Sequence, residues 1–249
     1  MKTSVITVCR NSASTIEDAL RSVASQSYPD IEHIVVDGAS TDGTLDIVDR
    51  YRGRLAKVMS EPDRGIYDAM NKGVAIAGGE VICFLNSDDI YASNTVISKV
   101  VNYLEQNNLD AVYGDVEFFK SETPEVTLRR YRSNRFRPDR IGWGWMPAHP
   151  ALFVRRRIFD QHGGFRIHYR IAGDFEFVAR IFHRDALRYC YLPEVLVRMR
   201  LKGISTAGWR NTWLLNREVL QACRENGIPT NIFKILSKYP AKMLEYLQA

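Results

Sequence analysis

Nowhere does this 249-residue chain reach the roughly 18 consecutive apolar residues that a bilayer-crossing helix requires. Its opening, Met1-Lys2-Thr3, leads into a short apolar run only, so any membrane association is expected to be peripheral, from the cytoplasmic side. Cysteine is sparse. Cys9, Cys83, Cys190 and Cys223 show no C-x-x-C spacing, which excludes a disulfide framework or a structural zinc site and fits a reducing cytoplasm. Neither G-x-x-x-x-G-K-[ST] nor G-x-G-x-x-G occurs, which removes P-loop and dinucleotide-dehydrogenase chemistry. His149 and His168 stand alone, without the H-E-x-x-H spacing of a zinc hydrolase. Internal repeats and low-complexity segments are absent as well.

What remains is an ordinary globular composition, 45% apolar and 25% charged, long enough to bury a core. The charge is unevenly distributed. Residues 1–119 hold 10 Lys/Arg against 18 Asp/Glu, residues 120–200 hold 17 against 8, and residues 201–249 hold 7 against 3. A basic second half suits nucleic acid, anionic lipid or a phosphorylated ligand, and sign alone does not choose among them.

Short β-branched runs alternate with helical patterns through the first 120 residues, as a parallel sheet wrapped by helices requires. Strands are predicted at Ser4 to Cys9, Ile31 to Asp37, Ala56 to Ser60, Val81 to Leu85 and Ala111 to Val116. Ser14-x-x-Glu17 reads as a capping box opening a helix that Tyr28-Pro29 stops. Further helices are predicted from Thr44, over Ile66 to Ala77, and along the Val96, Ile97, Val100, Val101, Leu104 face. Residues 120–150 read as an irregular, Arg-rich loop over a site. A strand at Ala151 to Val154, a helix from about Asp174, strands near Leu187 and Val195, and a helical end broken at Pro240 complete the pattern.

Ligands of open parallel sheets bind beyond the carboxyl ends of the strands. Three of those ends are polar here: Cys9-Arg10-Asn11, Asp37-Gly38-Ala39-Ser40 and Asn86-Ser87-Asp88-Asp89. Each Asp alone also serves as a turn or N-cap residue. Several acids gathered from separate strands, however, repel one another unless a cation or hydrogen bonds compensate. Mg²⁺ or Mn²⁺ needs only one or two carboxylates beside substrate phosphates, and Asp88 and Asp89 supply them.

Val5-Ile6-Thr7-Val8-Cys9-Arg10-Asn11, Val35-Val36-Asp37-Gly38-Ala39-Ser40-Thr41-Asp42-Gly43-Thr44 and Phe84-Leu85-Asn86-Ser87-Asp88-Asp89 closely resemble the family-2 inverting glycosyltransferases. The resemblance includes Glu61-Pro62-Asp63-Arg64-Gly65-Ile66-Tyr67-Asp68-Ala69-Met70-Asn71-Lys72-Gly73 and Ala172-Gly173-Asp174-Phe175-Glu176-Phe177, and covers about residues 3–200. Members similar in this way build bacterial O-antigen, capsule and colanic-acid-like polysaccharides. The resemblance implies a GT-A fold, an α/β architecture with a Rossmann-like, mostly parallel sheet flanked by helices. Residues 1–119 would form its nucleotide-sugar half, 120–205 its acceptor half, and 206–249 a C-terminal helical extension. It implies that Asp37 contacts the nucleobase, usually uracil, so a UDP-sugar is expected before a GDP-sugar. Thr7, Cys9 and Asn11 would line the nucleoside pocket, Asp68 and Asn71 would border the donor beside Asn86 and Ser87, Asp88 with Asp89 would hold the metal, and Asp174 would be the general base. Gly38 departs from the paired Asp of many relatives, and Asn86 replaces the first acid of the usual D-x-D.

Trp143, Trp145 and His149 lie on the acceptor side, as a sugar platform or as core packing. The Arg155-Arg156-Arg157 run reads as a solvated face with one arginine available to phosphate. Ile232, Phe233, Leu236 and Tyr239, with Lys234, Lys238 and Lys242, form either an interfacial anchor beside a polyprenyl-diphosphate-linked saccharide acceptor or a helix packed onto the core. A metal-dependent nucleotidyltransferase is the first competing reading, although the loop after the first strand is not Gly-rich. A catalytically silent binding module is disfavoured by Asp88 with Asp174. Nucleic-acid binding is not expected, because the acidic first half repels phosphate backbones.

Overall fold

The computed structural model describes residues 1–184, 187–201, 208–237 and 239. In chain order, β1 (Thr3–Cys9), α1 (Ile16–Ala24), β2 (Ile31–Asp37), α2 (Thr44–Arg50), a 3₁₀ turn (Arg52–Arg54), β3 (Lys57–Ser60), α3 (Ile66–Ile76) and β4 (Val81–Phe84) form the first half. There follow β5 (Ile90–Tyr91), α4 (Val96–Gln106), β6 (Ala111–Phe119) and β7 (Arg129–Tyr131). Three 3₁₀ turns (Ser133–Arg135, Pro138–Trp143, His149–Ala151) lead to β8 (Leu152–Arg155), α5 (Arg156–His162), α6 (Gly173–Arg184), β9 (Tyr189–Arg200), α7 (Gly208–Glu225) and α8 (Ile232–Leu236).

One sheet of order β3-β2-β1-β4-β8-β6-β9-β5 runs through the molecule, with β7 added to β6. The first four strands are parallel. β8 runs antiparallel to both β4 and β6, and β9 returns parallel to β6. Period-2 alternation on β1 explains the layering. Ile6 and Val8 face a cluster completed by Tyr67 and Met70 of α3, Phe175 to Phe182 of α6 and Val219 of α7, whereas Val5 joins α1 and α4 on the other face. Each such side chain contributes roughly 1.5–3 kcal/mol by leaving water.

Local differences from the sequence reading have specific causes. The capping box does not form: Thr15 is the N-cap of α1 and makes no side-chain cap bond. The turn before the helix is tied to the loop after β2, Asp42 Oδ2 taking the Ala13 N–H at 3.0 Å, and Glu17 turns to the Tyr51 hydroxyl at 3.2 Å. Rather than forming a solvated face, the Arg155-Arg157 run ties elements together. Arg155 donates to the carbonyls of Leu109 (2.8 Å) and Leu104 (3.2 Å), Arg156 to that of Ala77, and Arg157 pairs with Asp110. A single β9, irregular opposite Tyr113 to Val116, replaces the two strands expected near Leu187 and Val195. The expected boundary at 205/206, the break at Pro240, and Lys238 and Lys242 lie outside the described residues. Val219, Ala222, Cys223 and Ile235 belong to the same core as β1 and β4, with α7 packed on α6 and α8 on α7 and the Pro138–Trp143 turn. Among the described residues, no helix is long and apolar enough to cross a membrane.

Candidate active site

Because β1, β2 and β4 are parallel, their carboxyl ends open at one sheet edge, with Cys9 and Asp37 in register. Asp37 is fully buried. Burial pushes its carboxyl up, but donation from the Ser40 hydroxyl and N–H and from the Ser60 hydroxyl outweighs that and leaves it below the ordinary range. The Ser40 N–H lies at 3.0 Å, the Ser60 hydroxyl at 2.7 Å, and the Cys9 thiol approaches at 3.6 Å, so the carboxylate's four acceptor positions are occupied within the protein. Burial and the Asp37 charge push that thiol well up, keeping it neutral.

The loops after β1 and β2 interlock. Asn11 N–H donates to Ser40 Oγ (2.7 Å), Thr41 N–H to Asn11 Oδ1 (2.9 Å) and Ser12 N–H to Thr44 Oγ1 (2.8 Å). Asn11 and Ala39 take φ of 50° and 57°, a left-handed strain that Asn tolerates and Ala pays for locally. A Cβ on Gly38 would collide with the Asp63 carboxylate, so the side-chain space beside Asp37 is filled by an acid from the loop before α3.

At the β4 end the adjacent acids separate. Asp89 is 1% exposed, and its carboxylate accepts from Asn86 Nδ2 at 3.1 Å and, weakly, from Arg200 N–H at 3.4 Å. Asp88 is half-buried, and among the described residues no other side chain donates to its carboxylate. Burial raises both carboxyls, and the Asp88 charge raises Asp89 further. Beside them the buried Asn86 Oδ1 has no hydrogen-bond partner among the described residues. A cluster of anionic and orphaned oxygens unfavourable by itself is what a hard divalent cation or a ligand hydroxyl relieves. Among the described residues no three His, Cys, Asp or Glu side chains converge on a metal position, so phosphate and water would complete such a shell. Ser87 donates to Ser12 at 2.9 Å, closing this turn onto the β1 loop.

Asp174 sits in the first turn of α6. Its Oδ1 accepts the Phe175 N–H (2.8 Å) and the Tyr67 hydroxyl (3.2 Å), and the same hydroxyl lies 2.6 Å from the Ile171 carbonyl. Among the described residues Oδ2 accepts no hydrogen bond. The segment before it is strapped from α7, where Glu218 receives the N–H groups of Arg170, Ile171 and Ala172 at 2.8–2.9 Å. Phe84, His149 and Phe165 stack at centroid distances of 5.3–5.7 Å and Phe165 meets Tyr67 at 5.7 Å, linking the β4 end to the Asp174 side. Burial pushes the His149 imidazole down, and among the described residues neither ring nitrogen has a hydrogen-bond partner.

Other expected residues lie elsewhere. Thr7 is fully buried against His33 Nε2 at 3.0 Å, below the crevice. The Asn71 amide is consumed by the Phe165 backbone, at 2.8 and 2.7 Å, and clamps that loop to α3. Asp68, in the first turn of α3, accepts the N–H of Arg64 in the loop before it at 3.0 Å. Trp145 is buried while Trp143 is 43% exposed beneath Lys234, 5.5 Å from its ring, so the two tryptophans form no common platform. Ser40, Ser60, Tyr67, Glu218 and Arg200 were not singled out by sequence. Two of them carried a signal there: Ser40 in the polar end after Asp37, and Tyr67 inside the motif that also holds Asp68 and Asn71.

The chain is similar to several known proteins. The chain is 33% identical over 222 residues to the PGL/p-HBAD biosynthesis glycosyltransferase of Mycobacterium bovis (strain BCG), covering 88% of this chain and 82% of that one. It is 37% identical over 107 residues, 42% of each chain, to the putative teichuronic acid biosynthesis glycosyltransferase TuaG of Bacillus subtilis. Among solved structures, S. aureus TarS in complex with UDP-GlcNAc superposes with a TM-score of 0.68 at 21% identity, over 89% of this chain and 66% of that one. The mannosyltransferase PcManGT of Pyrobaculum calidifontis, in complex with GDP-Man and Mn²⁺, gives 0.64 at 22% identity, over 95% and 68%. The fold is therefore GT-A. Residues 4–164 match glycosyl transferase family 2, so the chain belongs to that family and is a glycosyltransferase.

Proposed function

We propose that this enzyme transfers one sugar from a nucleoside-diphosphate donor, UDP-linked in preference to GDP-linked, to an acceptor hydroxyl with inversion, in the assembly of a bacterial surface glycan. The observation that carries the reading is a pair of carboxylates with open oxygens, Asp88 at the end of the parallel strands and Asp174 on the other half, linked through Phe84, His149, Phe165 and Tyr67. The mycobacterial and Bacillus relatives support a role in glycan assembly, and the ligands of TarS and PcManGT support a nucleotide-sugar donor.

Asp37 would meet the nucleobase by exchanging a serine hydroxyl for a base N–H, and Asp63 would serve the ribose beside Gly38. Asp88 with the Asn86 carbonyl would hold Mn²⁺ or Mg²⁺, which supplies Lewis-acid stabilisation to the departing diphosphate. Asp89 braces that turn. Tyr67 and the Phe175 N–H hold Asp174 Oδ1, so Oδ2 takes the acceptor proton as the hydroxyl attacks from the face opposite the leaving group. Screening UDP- and GDP-sugars for Mn²⁺-dependent thermal stabilisation and slow hydrolysis tests this reading. A UDP-sugar is expected to stabilise the fold, and pyrophosphate release from a nucleoside triphosphate would instead establish a nucleotidyltransferase.

A polyprenyl-diphosphate-linked acceptor places the reaction at an anionic membrane surface. Phe233 is 81% exposed, and Ile232, Leu236 and Trp143 are exposed nearby with Lys234 among them, the composition of an interfacial contact. Flotation with phosphatidylglycerol vesicles should recover the protein at low salt and lose it by roughly 0.5 M salt, where charges are screened within a few ångströms. Phe233→Ser should weaken recovery. Indifference to anionic vesicles at low salt would refute membrane contact.

A further inference from the structure

Behind the Asn86 to Asp89 turn lies the guanidinium of Arg200. Arg200, the last residue of β9, is 9% exposed at its side chain, although the chain there is already leaving the sheet. Its Nε donates to the Asp88 carbonyl at 3.3 Å, its backbone N–H points at Asp89 Oδ1 at 3.4 Å, and its two terminal nitrogens reach Ser121 Oγ at 3.0 Å and Asp18 Oδ2 at 2.8 Å. The guanidinium plane lies 4.9 Å from the Phe119 ring, on the wall of a cleft of about 410 Å³ between α1, β5 and the end of β6. One side chain thus joins α1, the end of β6, β9 and the backbone of the acidic turn.

We infer that Arg200 is a positioning residue for the divalent cation: it holds the Asp88 peptide from behind, so that the Asp88 carboxylate is presented to the crevice. The assignment rests on the reading of Asp88 as a cation ligand. A carbonyl fixed by a buried, stacked guanidinium cannot rotate without breaking contacts to three other elements, so the orientation of the attached side chain is determined before any ligand arrives. Arginine suits this position because its planar fork donates in several directions at once, which a lysine ammonium at the end of a flexible stem does not.

Mn²⁺ binding to the full chain saturated with UDP or GDP, whichever stabilises it, would be measured by calorimetry and by the loss of the free Mn²⁺ paramagnetic signal. In both Arg200→Ala and Arg200→Lys, Mn²⁺ affinity is expected to fall about 10- to 100-fold, as when groups orienting a metal ligand are removed. Metal-free nucleotide binding should be unchanged, and turnover should recover at high Mn²⁺. Arg200→Lys keeps the charge and the apolar stem, so it carries the test even if the alanine variant fails to fold. Wild-type Mn²⁺ affinity in Arg200→Lys, beside a metal-dependent parent, overturns the positioning role alone. A parent chain whose nucleotide binding ignores Mn²⁺ overturns the metal reading and this inference together.

Discussion

Alanine in place of Asp88 is expected to reduce transfer by about 10³-fold or more, and excess EDTA is expected to do the same to the unaltered enzyme. The departing diphosphate gathers negative charge as the anomeric bond breaks, and a bound cation is worth several kcal/mol of that charge, each 1.36 kcal/mol being about tenfold in rate. Among the described residues Asp88 is the carboxylate of its turn without another side chain donating to it, so it is the one available to such a cation. Asp89→Asn should be milder, because Asp89 spends its oxygens on Asn86 and the Arg200 backbone. The assay is release of nucleoside diphosphate with acceptor present. Full activity in excess EDTA would rule out the metal role, and equal losses in the two variants would mean that both acids ligate the cation.

Slower attack, by roughly 10² to 10⁴, is expected of Asp174→Asn, the range typical of losing a positioned general base. The amide preserves size and can still accept the Phe175 N–H and the Tyr67 hydroxyl, so the start of α6 should persist. Donor binding should survive, because the residues assigned to nucleoside and cation lie at the ends of β1, β2 and β4 rather than on α6. Calorimetry with Mn²⁺ and the donor, set beside turnover, separates these effects. Near-normal turnover would remove Asp174 as the base and direct attention to Asp89, since Glu176 is fully buried and paired with Arg180 at 3.0 Å. Joint loss of binding and turnover would mark Asp174 as a structural cap.

The strands and helices of the first half were legible because each has one clean apolar period: β-branched runs for β1, β2 and β4, and an amphipathic face for α1, α3 and α4. Less could be read beyond residue 119. There β7 and α5 are short and Arg-rich, and their arginines act on carbonyls far away in sequence, as Arg156 does on that of Ala77. Such pairings leave no local pattern. The capping box failed for the same reason, since Glu17 is drawn to the Tyr51 hydroxyl, distant in sequence, and Thr15 rather than Ser14 is the N-cap.

Residue type and order alone determined the α/β class, the polar strand ends, the family and the identity of the acids, because chemistry and short-range periodicity are written locally. What each polar group has left to offer was decided only in three dimensions. Thr7 is spent on His33, Asn71 on Phe165 and Asp89 on Asn86, whereas Asp88, the Asn86 carbonyl oxygen and Asp174 Oδ2 keep capacity for a ligand. A hydrogen-bonding group buried without a partner is costly and one with a partner is silent, so function follows from that remainder, and the remainder depends on neighbours brought in from distant parts of the chain.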